Sequence, residues 1–285
     1  MKALNVRENI MKVIFLIAAC ASILAVALIC FFLFANGLPA MAEIGLFKFL
    51  FGTTWSPSSN LYGILPMIVG SLYVTAGAII FGVPIGLLTA IFMARFCPEK
   101  LYKVLKPMVE LLAGIPSIIY GFFALMVIVP MVVQLFGAQG GQCILSASLL
   151  LGFMILPTII TVTEASIRAV PESYYEGGLA LGASHERSVF FAILPGAKSG
   201  ILTGIVLGIG RAIGETMAVM MVVGNQPRIT TNILKGIRTL TTNIVIEMGY
   251  STGLHREALI ATGVVLFVFI LIINLALSLL KRSSQ

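Results

Sequence analysis

Charge is the scarcest ingredient of this chain: only 10% of its 285 residues are charged, against 59% that are hydrophobic. With a mean hydropathy of +1.08, that balance excludes a water-soluble domain of this size. The four cysteines, Cys20, Cys30, Cys97 and Cys143, form no C-x-x-C pair, which argues against a disulfide framework or a metal site. His185 and His255 have no second His or Cys at ligand spacing and read as solvated polar residues. A phosphate-binding G-x-x-x-x-G-K-[ST] is also missing: Lys198-Ser199 follows only Gly196-Ala197, and GLGIGRAIG lacks a strand-turn-helix setting. The stretches between apolar runs are too short to enclose a soluble core.

What the chain does have is long apolar runs. About 20 such residues cross roughly 30 Å of hydrocarbon as a helix, which satisfies its own backbone N–H and C=O groups. Six runs qualify, at about 13–34, 65–94, 111–135, 144–166, 200–223 and 259–280. An all-α polytopic membrane protein with six transmembrane helices is therefore expected, with one membrane domain at 13–280 between an N-terminal segment 1–12 and a tail 281–285. Ala40-Met41-Ala42 after a basic start mimics a signal-cleavage site, but the first run exceeds a signal core of roughly 7–15 residues and reads as a retained helix. Lys and Arg divide 12 against 5 between the two sides, with Arg211 inside a span. By the positive-inside rule both termini and the loop 167–199 are cytoplasmic. The net charge of +7 is then a topology signal, and nothing in it suggests nucleic acid.

Helix breakers gather in three adjacent spans: Gly82, Pro84 and Gly86, then Pro116 and Pro130, then Pro157. The carbonyls they free need cover, and both kinked packing and a shared water-lined pathway provide it. The fifth span opens on Gly196, Gly200, Gly204 and Gly208, which lie on one helix face and form a seam for a second backbone, within the chain or in another subunit. Arg211 and Glu215 follow about 16 and 22 Å along that helix. Each costs about 2.5–3.5 kcal/mol at the centre of a lipid-facing helix, so both should face the bundle interior, where their i, i+4 spacing lets them pair. Two roles stay open. One is a buried ion pair that fixes packing; the other is a guanidinium on a substrate route, held by Glu215, with Thr216 as a further hydroxyl. Planar guanidinium donors suit phosphate and carboxylate oxygens, so the second role favours an anionic substrate.

The most informative polar stretch is VPESYYEGGLALGASHERSVFFAILP, 170–195. Pro171 suits a first helical position, Glu172 and Glu176 the first turns, and Gly182 an end; Ser184 then caps a second short helix that Pro195 breaks after Ile193. Gly177 and Gly178, flanked by Tyr174, Tyr175 and Leu179, leave the first helix bare enough for a partner surface to approach. An ordinary interfacial helix fits the same periodicity.

EGGLALG, with Glu176 and Gly182, followed by Pro195 in AILPG, resembles the EAA loop of ABC importer permeases. YGILPMIVGSLYVT (62–75), LAGIPSIIYGFFAL (112–125), GRAIGETMAVMMVVGN (210–225) and TLTTNIVIEMGYSTGLHREALIATGVVLFVF (239–269) together resemble the PstC-type permease subunits of bacterial phosphate-specific importers. The resemblance implies a type I ABC importer permease fold in the bacterial cell membrane. It implies a cytoplasmic coupling helix bearing Tyr174, Tyr175, Glu176, Gly177, Gly178 and Gly182 in a groove of an ATPase, and Arg211, Glu215 and Thr216 along a phosphate passage. The implied partners are a PstA-type sister permease in a heterodimer, two PstB-type ATPase subunits and an extracytoplasmic phosphate-binding protein. ATP-Mg belongs to the ATPases, so no catalytic residue or cofactor is expected in this chain. The remaining alternatives are a permease for another oxyanion and, in a different class, a self-sufficient anion channel or secondary transporter.

Overall fold

The computed structural model describes residues 2–138 and 140–282; the last three residues of the expected tail, like Met1 and Gln139, lie outside the described residues. Helices dominate, as lipid requires of apolar runs whose backbone must bond to itself. In chain order they are α1 (Lys2–Ile44), α2 (Leu46–Phe51), a two-stranded antiparallel ribbon of β1 (Trp55–Ser56) and β2 (Leu61–Tyr62), α3 (Leu65–Ile91), α4 (Glu99–Gly114), α5 (Ser117–Phe123), α6 (Val129–Phe136), α7 (Ile144–Arg168), α8 (Glu172–Ala180), α9 (His185–Ser188), α10 (Leu194–Gly214), α11 (Met217–Val222), α12 (Leu240–Met248) and α13 (Gly253–Arg282). Among the described residues six helical stretches are long and apolar enough to cross a membrane: Ile10–Ile44, Leu65–Phe96, Ser117–Phe136, Ile144–Arg168, His185–Gly214 and Gly253–Ala276.

These bounds differ from the sequence reading in instructive places. α1 continues ten residues past Phe34 because Gly37 faces α13 so closely that a Cβ there would lie 2.6 Å from Val264 Cγ2, and Ala40 beside it is fully buried. The third span begins at Ser117, not near Leu111. Pro116 holds the preceding residue extended, with Ile115 at φ −69°, ψ 128°, so Leu111 ends up in the amphipathic α4 and Pro116 stands at a junction instead of kinking a helix. Pro195 does not break the second loop helix either. A π turn at Val189–Ile193 runs α9 into α10, and another at Ala124–Ile128 precedes Pro130 in α6. In both cases the wide turn immediately precedes a proline in the second helical position, where its missing N–H and its ring are accommodated without ending the helix.

α7 is the centre of the bundle. Two-thirds of its most apolar window lies inside the protein, whereas none of the corresponding window of α1 does. α3 packs on α7 through Gly82, 2.8 Å from Ile155, and Gly86, 3.0 Å from Ile159 (both as Cβ positions), so these glycines serve close packing in a continuous helix. α1 lies outside, stapled to α13 by Phe34 on Phe267 at 6.0 Å. Its Phe15, Leu16 and Phe31 are all more than 60% exposed. Lipid tails are as apolar as these side chains, so within the bilayer shape and small residues decide which helices touch.

Candidate functional site

The fifth span is interrupted where its charged residues fall. α10 ends at Gly214; Glu215 is extended at φ −70°, ψ 132°, and α11 starts at Met217. The Glu215 carboxylate Oε1 accepts from the backbone N–H of Thr216 (3.1 Å) and of Ala218 (3.2 Å), so it caps α11 from within the break. The Thr216 hydroxyl donates to the Gly214 carbonyl at 3.2 Å, and the Thr241 hydroxyl donates to the Glu215 carbonyl at 3.1 Å. The expected i, i+4 pairing of Arg211 with Glu215 is therefore corrected: it needs a continuous helix, and among the described residues no ion pair joins them.

Arg211 is half-buried, and its one hydrogen bond among the described residues is a long one, Nη1 to Thr158 Oγ1 at 3.4 Å. The Tyr120 hydroxyl donates to the Leu112 carbonyl at 2.8 Å. Gly210 and Gly214 flank Arg211 with open space where a Cβ would stand. Most of the five guanidinium donors thus remain available to a passing group with planar acceptor oxygens. The glycine ladder turns the other way: a Cβ at Gly196 meets Val170 (3.2 Å), at Gly204 Thr163 (2.9 Å), at Gly208 Ile159 (2.8 Å), and Gly200 presses on Ser166. Of the two seams the spacing allowed, the one observed lies within the chain, along α7.

At the end of the bundle bearing the polar loop, α8 and α9 form a helix-turn-helix with Gly182 at φ +81°, a left-handed position suited to glycine. Pro171 precedes α8 as its cap instead of entering it. Ser184 caps α9 by accepting from Arg187 N–H at 3.3 Å. The side chains of Tyr174, Glu176 and Leu179 are exposed, and Leu181 is 91% so. The two central glycines differ: nothing lies within 4 Å of a Cβ at Gly177, whereas one at Gly178 would meet Ser188 Oγ at 2.6 Å. Gly178 therefore faces α9 and not an outside surface. Tyr175 is also turned inward, its hydroxyl 2.8 Å from His185 Nδ1, and the His185 ring lies edge-on to Phe96 at 4.8 Å. Arg95 anchors the first turn of α8 through both Glu172 oxygens, at 2.9 and 3.1 Å.

Two buried carboxylates escaped the sequence reading. Glu164, 2% exposed in α7, accepts from Tyr102 (2.9 Å), Lys106 (2.7 Å) and Arg168. Burial disfavours the Lys106 ammonium, but its contact with Glu164 outweighs this and holds its pKa above the usual lysine value. At the opposite end Glu247 accepts from Trp55 Nε1 (2.9 Å), Arg238 Nη1 (2.5 Å) and His255 Nε2 (2.8 Å). Burial raises the Glu247 pKa, yet these three donors overcome it and keep the carboxyl below the ordinary carboxylate range. Both histidines expected to be solvated are thus packed and bonded. A signal existed for Glu164, an ionisable residue inside an apolar run; no comparable signal marked Glu247. Among the described residues no three His, Cys, Asp or Glu side chains gather as a metal ion would require.

A six-span helical bundle with a helix-turn-helix at one end and a broken fifth span is the architecture of a polytopic membrane protein. The chain belongs to the family of binding-protein-dependent transport system inner membrane components, whose model matches residues 82–284. It is 37% identical to the probable ABC transporter permease protein YqgH of Bacillus subtilis, over 91% of this chain and 88% of that one. It is 34% identical to the phosphate transport system permease protein PstC of Mesorhizobium japonicum, over 88% and 83%. Among solved structures it superposes on a chain of the inward-facing MetNI methionine ABC transporter (TM-score 0.61, 20% identity, 78% of this chain and 95% of that one). It also superposes on a chain of the bacterial alginate ABC transporter in complex with its periplasmic protein (TM-score 0.63, 16% identity, 93% and 94%). The fold is that of type I ABC importer permeases, and the chain is a multi-pass membrane protein.

Proposed function

We infer that this chain is the permease subunit of an ATP-driven phosphate importer and forms half of its translocation pathway. The observation that carries this reading is Arg211: a half-buried guanidinium beside a helix break, flanked by open glycine positions, with one long hydrogen bond of its own. The PstC relatives supply the substrate class. A PstA-type sister permease completes the passage, two PstB-type ATPases carrying ATP-Mg lie beneath the pair with one of them docked on α8, and an extracytoplasmic phosphate-binding protein delivers the ion. Both termini and the 167–199 loop lie on the cytoplasmic side, and the chain itself binds no cofactor. Closure of the ATPases on ATP displaces α8, and the bundle alternates its access around Arg211.

The test is reconstitution in liposomes. Labelled phosphate should enter only when the ATPase, the sister permease and the binding protein are all present, and excess sulfate or molybdate should leave uptake unchanged. Uptake by this chain alone under an ion gradient would replace the reading with a self-sufficient transporter; competition by sulfate would replace phosphate with another oxyanion. Glu176→Lys on the exposed face of α8 should uncouple hydrolysis from uptake, and intact coupling would remove Glu176 from the docking surface.

A further inference from the structure

Glu164 is the most heavily bonded carboxylate on the side of the bundle that carries α8, and the transport chemistry above gives it no task. Its three donors come from two helices: Tyr102 and Lys106 from α4, and Arg168 from its own α7. Arg168 reaches further. Its Nη2 donates to the Met93 carbonyl at 2.9 Å, and its guanidinium lies 4.3 Å over the Tyr102 ring. Met93 sits in the π turn Phe92–Phe96 that ends the second span, and the same turn carries Arg95, which grips Glu172 in the first turn of α8. The loop is therefore tied to α4 by an unbroken polar chain: Glu172, Arg95, the π turn, Arg168, Glu164, then Lys106 and Tyr102.

From α4 the connection continues toward the passage. α4 ends at Gly114, and the Tyr120 hydroxyl, in α5, bonds back to the Leu112 carbonyl at 2.8 Å. Gly121 then lets α5 press on α11, where a Cβ would lie 2.9 Å from Ala218 Cα, just beyond the break that Glu215 caps. A buried carboxylate with three donors cannot lose one cheaply, since the remaining charge stays desolvated. A fully satisfied network of this kind rigidifies the elements it joins.

We propose that Glu164 is a positioning residue of the transport cycle: the joint through which displacement of the coupling helix α8 is passed to α4, and through α4 to Tyr120 and the α10–α11 break beside Arg211. This rests on the reading of α8 as the ATPase-docking helix. Glu164 touches neither nucleotide nor substrate. Its role is to make the motion of one end obligatory at the other.

The experiment uses the full reconstituted transporter and reads ATP hydrolysed per phosphate imported, together with crosslinking of Gly177→Cys to the ATPase. Glu164→Gln and Lys106→Gln should raise the ATP-to-phosphate ratio by about fivefold or more, with the crosslink and complex assembly unchanged. Lys106→Arg should return the ratio toward wild type, because a guanidinium still reaches the carboxylate. Should Glu164→Gln fail to assemble, Lys106→Gln and Tyr102→Phe decide, since both leave Glu164 with two donors. An unchanged ratio in assembled complexes with the crosslink intact, or hydrolysis and uptake falling in parallel, overturns the joint while leaving the docking reading in place. Absence of the crosslink in the otherwise wild-type transporter overturns the docking reading and the joint with it.

Discussion

Arg211 and Glu247 are both charged residues of a chain that has few, and their surroundings are opposite. Glu247 is saturated: an indole, a guanidinium and an imidazole converge on it, fixing the β1–β2 ribbon, α12 and the start of α13 to one another. Arg211 is left, among the described residues, with a single hydrogen bond at 3.4 Å beside an interrupted helix. A charge that only holds structure gathers partners until desolvation is offset. A charge kept short of partners in a membrane protein retains its capacity for something that arrives later. The difference predicts which substitution harms folding and which harms transport.

The largest effect is expected at the sparse end. Arg211→Gln should lower phosphate uptake by about 10- to 100-fold, the worth of one or two charge-assisted hydrogen bonds, while assembly with the partner subunits and thermal stability stay as in the wild type. Loss of assembly would make Arg211 a packing residue and erase the contrast with Glu247.

At the saturated end the loss is in stability. Glu247→Gln leaves Arg238 partly unpaired and should cost about 3 kcal/mol, read as thermal unfolding through Trp55, the chain's one tryptophan and a direct partner of Glu247. The sign with pH follows from the lowered carboxyl pKa. The contribution is complete above the ordinary carboxylate value of about 4.3 and is lost as pH falls through the lower folded value. Wild type and variant should therefore converge in acid and stay apart at neutral pH. Parallel curves from pH 7 to pH 3 would show that the carboxylate charge is not what Glu247 contributes.

How much of this was legible in the residues alone depends on how local the cause is. Six apolar runs, the loop with its Gly182 turn and Ser184 cap, and an arginine too costly to face lipid all announce themselves in sequence, because lipid leaves a backbone few options. The Arg211–Glu215 pair does not form, because i, i+4 spacing presumes a continuous helix and Glu215 spends its carboxylate on capping the next one. Gly177 and Gly178 look identical in sequence and differ only because Ser188 lies behind the second. Pro195 carries the local signature of a break, which a π turn five residues long absorbs. The Glu247 cluster draws on positions as far apart as Trp55 and His255, and no spacing rule connects them.

The same contrast between occupied and open surroundings recurs at smaller scale on the two faces of α10, where composition is held constant. Gly208 faces the fully buried Ile159, and an added Cβ lies 2.8 Å from its Cγ1; Gly210, two residues on, meets nothing. Ile159 is walled in by the core cluster around α7 and has no room to retreat, so Gly208→Ala should destabilise by about 1–2 kcal/mol through overpacking. Gly210→Ala should be at least as stable as wild type, because alanine gives up less backbone freedom in a helix than glycine does. If α10 met α7 loosely, the two variants would behave alike in thermal unfolding. A difference in sign between positions two residues apart requires that one face of the helix is packed and the other is kept free beside Arg211.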